Sequence, residues 1–251
     1  MTAPALATRG LSKSFGSLAV ARDIGIELPV GGRFALIGPN GAGKTTLINL
    51  VTGMLAPNAG QILLGGEDIT ALEPQERVKR GLARTFQINT LFPHLSALEA
   101  VTLAVAERRG FAREFWRNIG RYGEAVDEAH DILVRLKLGD ACYQQTRELP
   151  YGRQRLLEIA LALATRPKVL LLDEPAAGVP HEESGEIFEA VANLSDDLTL
   201  LFIEHDMHVV FRFATHIIVL VGGAIYTEGS PAEIAADAGV REVYLGKRKH
   251  G

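Results

Sequence analysis

Cysteine is almost missing from this chain. Of 251 residues only Cys142 carries a thiol, which excludes an intrachain disulfide and any need for an oxidising compartment. Positive charge is not in excess either. The 26 Lys and Arg stand against 30 Asp and Glu, a formal net charge of -4, so the electrostatic footprint of a nucleic-acid binder is absent and no nucleic acid is expected as a partner. No apolar run approaches the ~20 residues that a membrane-spanning helix requires. The longest, HIIVLVGGAI at 216–225, is short and broken by two glycines. The opening MTAPALATRGLSKSF lacks a charged segment followed by an apolar one, so no secretory signal is expected and the chain reads as soluble and cytoplasmic. Neither an internal repeat nor a low-complexity tract interrupts it.

What is present points to a folded protein: 47% of residues are hydrophobic and 22% charged, ordinary values for a globular chain. Four apolar runs, RFALI (33–37), VLLL (169–172), LTLLFI (198–203) and IIVLV (217–221), are continuous rather than alternating. Such runs suit strands buried on both faces in a parallel sheet. Between them 45–54, 156–164 and 184–194 carry helical patterns, and the alternation predicts an α/β core. QILL (61–64) ahead of Gly65-Gly66 reads as an added antiparallel strand. From Phe92 to Tyr151 the pattern is helical without a strong strand.

Chemistry enters at Gly38-Pro39-Asn40-Gly41-Ala42-Gly43-Lys44-Thr45, which fits G-x-x-x-x-G-K-[ST] and lies between an expected strand and an expected helix that continues through Thr46. Its glycines let consecutive N–H groups turn toward phosphate oxygens, and the helix N-terminus adds partial positive charge. Lys44 is placed to reach the β- and γ-phosphates of a nucleotide, and the Thr45 hydroxyl to ligate Mg²⁺. Further on, VLLLDEP (169–175) runs four apolar residues into two carboxylates. They fall at the C-terminal end of a strand, where ligands of open α/β sheets gather. Asp173 is expected in the magnesium shell and Glu174 beside the attacking water.

The phosphate loop, Gln87 in Arg-Thr-Phe-Gln, the stretch 149–155, the Asp173-Glu174 pair and His205 follow one another in the order of an ABC-transporter ATPase, and the chain resembles that family over nearly its whole length. The resemblance implies a P-loop NTPase fold with a mixed sheet flanked by helices, an inserted helical subdomain and a small antiparallel β part. It implies a core in two pieces, 1–91 and 161–251, around a helical subdomain at 92–160. It implies ATP and Mg²⁺ as cofactors. Phe15 would stack on adenine, Gln87 would touch the magnesium and the water, and His205 would contact the γ-phosphate. The catalytic set so implied is Lys44, Gln87, Glu174 and His205, with Thr45, Gln87 and Asp173 at the metal.

In this family the stretch at 149–155 reads Leu-Ser-Gly-Gly-Gln and acts on the nucleotide of a second ATPase subunit. Here Tyr151, Gly152, Gln154, Arg155 and Glu158-Ile159-Ala160 resemble the branch that imports branched-chain and other hydrophobic amino acids, as do Phe92-Pro93, Asp173–Gly178 and Val243-Tyr-Leu-Gly246. Two membrane permeases, a second ATPase and, indirectly, a periplasmic solute receptor are the partners this implies, with the chain peripheral on the cytoplasmic side of the inner membrane. Other cargoes (urea, an aromatic acid, a dipeptide) fit the same motifs. A soluble ABC ATPase working on nucleic acid fits less well, because there is one ATPase unit and an acidic charge balance.

Three places depart from the family pattern: Pro150 replaces Ser, Arg153 replaces Gln, and Val179-Pro180 replaces Leu-Asp or Leu-Asn. All are positions that act in trans, whereas those acting on this chain's own nucleotide are intact, which suggests a heterodimer of unequal sites. Finally, Arg109, Arg113, Arg117 and Arg121 recur every four residues, the spacing of one helix side. The expectation is an amphipathic helix with a solvated basic face; the alternative is a face turned to anionic lipid.

Overall fold

The four continuous apolar runs become neighbours in a single sheet. In the computed structural model, which describes residues 3–85, 92–110, 119–192 and 194–245 apart from the side chains at 119–121, 181–183 and 244–245, they form β3 (Arg33–Ile37), β7 (Val169–Asp173), β8 (Thr199–Ile203) and β9 (His216–Val221). The sheet order is β10-β9-β3-β8-β7-β6. β6 (Leu82–Arg84) joins β7 in parallel at one edge, and β10 (Ala224–Gly229) pairs antiparallel with β9 at the other, which makes the sheet mixed. Every residue of β8 is buried. Side chains of a strand alternate between faces, and both faces here are covered. Leu170 and Leu172 enter one core cluster with the helices at 97–163, while Val169 and Leu171 enter another.

That second cluster is shared with a four-stranded antiparallel sheet of order β2-β1-β4-β5. Its strands are β1 (Leu6–Phe15), β2 (Leu18–Leu28), β4 (Ala59–Leu64) and β5 (Glu67–Asp68). Helix α1 (Lys44–Thr52) contributes Leu47, Ile48, Leu50 and Val51 to the same cluster, so the helix that follows the phosphate loop is fixed between the sheets. The short α2 (Pro74–Lys79) leads into β6.

Three helices, α3 (Ala97–Arg108), α4 (Ile119–Arg135) and α5 (Tyr151–Leu163), with two 3₁₀ turns, fill the stretch read as helical; an isolated bridge between Ser96 and Gln145 is the one β contact recorded there among the described residues. Ser96 and Glu99 form a reciprocal capping box that starts α3. The remaining helices, α6 (His181–Ala192), α7 (Met207–Phe213), α8 (Pro231–Ala236) and α9 (Ala238–Leu245), follow the strands of the C-terminal half.

The arginine series does not form one helix side. Arg109 is the C-cap of α3, Gly110 then turns the chain at φ 76°, and Arg121 belongs to α4. A left-handed glycine ends a helix because only glycine adopts that conformation without a Cβ penalty. Nor is Arg109 solvated: it pairs with Glu124 (2.9 Å) and Glu128 (2.6 Å). Arg113 and Arg117, with Phe111 and Phe115, lie outside the described residues. Glu128 also meets Arg108 (2.7 Å) and Arg166 (2.8 Å). Burial works to raise its carboxyl, but hydrogen bonds from Arg108, Arg109 and Arg166 outweigh that and bring it down to about 2.

Candidate functional site

β3, β8 and β7 run parallel and adjacent, in register at Leu36–Ile203 and Asp173–Ile203. The segments leaving their C-terminal ends therefore emerge along one edge, where open α/β sheets bind ligands. After β3 comes the phosphate loop, after β7 the Asp173-Glu174 pair, and after β8 Glu204-His205.

The loop depends on the absence of side chains at two of its glycines. A Cβ on Gly38 would strike the backbone oxygen of Leu220, and one on Gly43 would lie 2.6 Å from the Val20 oxygen. Gly43 is also the N-cap of α1 at φ 102°. Gly38 and Ala42 are buried, Pro39 and Gly43 half-buried, and Asn40 and Gly41 exposed. The loop is further held from β10's turn, Gly223 donating its N–H to the Ala42 oxygen at 2.9 Å. Lys44 is buried, and its ammonium donates to the carbonyl oxygens of Gly38 (2.6 Å) and Pro39 (3.2 Å). Burial pushes this ammonium down from its ordinary range, against the charges of Glu174 and Asp173, which pull it up. Those two carboxylates thus act on the lysine across the strand ends.

Glu174 is the strained residue of the site. Its φ is 51°, a left-handed conformation that a non-glycine residue rarely adopts and that clusters at functional positions. Its N–H donates to the Ile203 oxygen (3.1 Å), and its carboxylate lies 2.7 Å from His205 Nε2. Sequence reasoning named both residues, and the structure brings them together. Asp173 and Thr45 offer hard oxygen donors, Asp173 partly exposed and the Thr45 hydroxyl on an exposed residue, with Thr46 behind it half-buried. Such a pair fits Mg²⁺, which binds through one or two protein oxygens with phosphates and water completing its shell. Among the described residues no group of three or more His, Cys, Asp or Glu could hold a metal by itself.

Phe15 closes β1 and is 54% exposed. It pairs with Leu18, and the same hairpin sends Val20 to the phosphate loop. Gln87 lies outside the described residues. Tyr151 and Gly152 open α5. Tyr151 packs beside Gly178, where a Cβ would sit 3.1 Å from its ring, and accepts from Arg155 at 3.0 Å. Pro150 is the N-cap of α5, with no side-chain cap, and Arg153 is drawn to Asp140 at 2.9 Å.

Two further residues at the site were not singled out in the sequence. Arg84 donates to Asp173 Oδ2 (2.6 Å) and to Asn49 Oδ1 on α1 (2.8 Å), bridging the two strand-end motifs. It is the first residue of the Arg-Thr-Phe-Gln stretch, so its neighbourhood was visible though its role was not. Glu204 is buried and accepts from the N–H groups of Ala176 and His205, both at 3.2 Å. Burial, helped by the Glu174 charge, pushes its carboxyl up. A carboxyl ahead of His205 carried no motif signal.

Against known proteins, the model of the ABC transporter family matches residues 21–177, and that of the branched-chain amino acid ATP-binding cassette transporter matches 227–250. BraF of Pseudomonas aeruginosa, a high-affinity branched-chain amino acid transport ATP-binding protein, is 36% identical over 98% of this chain and 100% of its own length. LivG of Escherichia coli, described in the same words, is also 36% identical over 98% and 100%. Among solved structures, the ADP conformation of MJ1267, an ATP-binding cassette of an ABC transporter, superposes with a TM-score of 0.84 at 32% identity, over 98% of this chain and 100% of that one.

Proposed function

This chain belongs to the ABC-transporter ATP-binding proteins of the branched-chain amino acid type, and from that premise we propose that it hydrolyses ATP to energise import of branched-chain or related hydrophobic amino acids. The observation that carries the reading is the end-to-end likeness to BraF and LivG. The meeting of Lys44, Asp173, Glu174 and His205 at one sheet edge agrees with it.

The residues divide the work as follows. Backbone N–H groups of 40–46 cradle the phosphates, and Lys44 exchanges its two carbonyl partners for phosphate oxygens. Phe15 offers its exposed face to the adenine. Thr45, Asp173 and Gln87 hold Mg²⁺, which when bound offsets phosphate charge. Glu174 takes up the proton side of water attack, and His205, 2.7 Å away, fixes the carboxylate and reaches toward the γ-phosphate. Arg84 positions Asp173. Tyr151 and Gly152, at the start of α5, serve the nucleotide of a second ATPase. Motion of the helical part, 92–160, passes to two membrane permeases, with the chain on the cytoplasmic face of the inner membrane. Among the described residues no helix is long and apolar enough to cross that membrane. A periplasmic receptor selects the solute. Isolation of the chain from detergent-solubilised membranes of its own cells, with mass spectrometry of what accompanies it, should recover two permeases and a distinct second ATPase. Recovery of the chain alone would overturn the reading.

The trans elements support unequal sites. Pro150 can offer neither a hydroxyl nor an N–H, and Arg153 pairs with Asp140 at 2.9 Å. A hydrogen bond to a charged group contributes about 1.5–3 kcal/mol. In the assembled transporter, Pro150→Ser should therefore speed hydrolysis at the partner's nucleotide about tenfold to a hundredfold, read with the chain's own Glu174→Gln in place to silence the other site. No change would mean that the Gly152 amide and the helix end suffice.

A further inference from the structure

A cavity of ≈ 560 Å³ opens between α4, the turn from α5 to β7, and the connection from α6 to β8. Nothing in the hydrolysis chemistry above uses it. Its size lies in the range of small-molecule sites, and its lining sorts into three kinds of surface.

The first is an ionic wall. Arg109, Glu124, Glu128 and Arg166 satisfy one another there at 2.6–2.9 Å, and Glu128 remains anionic at any physiological pH because its carboxyl sits at about 2. The second is a set of charges without such partners. Asp127, Asp131 and Arg135 line the cavity at a four-residue spacing on α4 and are exposed; among the described residues none of them has a recorded ion pair or hydrogen bond. Residues four apart on a helix are neighbours on one side, so an anion and a cation are presented together. The third is apolar: Leu163, Leu194 and Leu198, with Leu198 buried.

We infer that this cavity binds a free α-amino acid with an apolar side chain. Arg135 would take the carboxylate, as a guanidinium does with two parallel N–H groups. Asp131 and Asp127 would take the ammonium, and the leucines would cover the side chain. A ligand of one charge would leave half of that pair unmatched, and a purely apolar one would leave both. The occupant would tie α4 to the connections before β7 and β8, so its accumulation would slow ATP turnover. Only this regulatory meaning, feedback by the imported solute, rests on the transport reading; the binding claim does not.

The test is calorimetric titration of the full chain with L-leucine, in parallel with ATP. Saturable leucine binding is expected, weakened about tenfold to a hundredfold by Arg135→Ala or Asp131→Asn, each losing a charged hydrogen bond, with ATP affinity unchanged. Leucinamide and 4-methylpentanoate, which lack the carboxylate and the ammonium respectively, should bind weaker by a similar factor. In the reconstituted transporter, leucine on the cytoplasmic side should slow hydrolysis by the parent but not by Arg135→Ala. A chain that binds ATP but shows no saturable leucine binding, or binding indifferent to both substitutions, overturns the inference. Leucine import measured separately in the same vesicles keeps the two ideas apart: import without binding sinks the cavity and spares the transport reading, and binding without import does the reverse.

Discussion

Glu174→Gln should slow ATP hydrolysis about a hundredfold to ten-thousandfold, the usual contribution of a positioned general base, while leaving nucleotide affinity intact. The substitution keeps the size of the side chain and an oxygen that can still meet His205 Nε2, now 2.7 Å from the carboxylate. What it removes is the negative charge and the capacity to accept a proton from water. Backbone geometry is not at issue, since the φ of 51° is imposed by the turn after β7 and the hydrogen bond to the Ile203 oxygen, neither of which involves the carboxyl. Lys44 would lose one of the two carboxylate charges that offset its burial, with Asp173 remaining. Phosphate release in the assembled transporter and equilibrium binding of a fluorescent ATP analogue separate the effects. A rate close to the parent's would take Glu174 out of the water-activating role, and a collapse of binding would show that its charge mainly supports Lys44.

The difference between what could and could not be read ahead of the fold has a physical basis. β3, β7, β8 and β9 were legible because a parallel strand covered on both faces must be apolar at successive positions, and few other elements produce that run. β1 and β2 were not. Gly10 sits at φ 59° within β1 and Asp23 at φ 49° within β2, with register shifts between the strands, so the alternation that marks a half-buried strand is broken twice. β6 has three residues, too few for any period to register. The phosphate loop was legible as letters because phosphate binding needs glycine at fixed places. Arg84 was not, because its role arises only when β6 lies beside β7 and points a guanidinium at Asp173. The arginine series misled for a related reason: a four-residue spacing predicts one helix side only if the backbone stays helical, and Gly110 ends that at its first member.

Arg77→Ala should cost on the order of 3–5 kcal/mol, because several carbonyl oxygens lose their donor at about 1–3 kcal/mol for each one left unsatisfied, out of a total near 5–15 kcal/mol for a typical domain. Arg77 is 2% exposed. Burial pushes its guanidinium down from the usual range, and only the more distant charges of Glu73 and Asp68 act against that. Its direct partners are uncharged: the carbonyl oxygens of Leu50 (2.8 Å), Val51 (2.7 Å), Thr70 (2.8 Å) and Leu72 (2.9 Å). Leu50 and Val51 belong to the last turn of α1, where carbonyls lack intrahelical partners and the helix end carries partial negative charge. Alanine would leave the Val51, Thr70 and Leu72 oxygens without a donor, Leu50 keeping the Gly53 N–H at 3.2 Å, and would open space beside Gly53, whose own Cβ would have come within 2.8 Å of the guanidinium. Lysine would keep the charge but not the planar fork, and should recover only part of the loss. Because α1 carries the phosphate loop at its other end, the damage should reach the site: ATP affinity is expected to fall with stability in Arg77→Ala, and to stay at the parent's level in Glu174→Gln. Denaturant titration of the full chain with and without ATP measures both. A loss below about 1 kcal/mol, the net value of one ordinary hydrogen bond, would mean that water replaces the guanidinium and that the far end of α1 needs no such anchor.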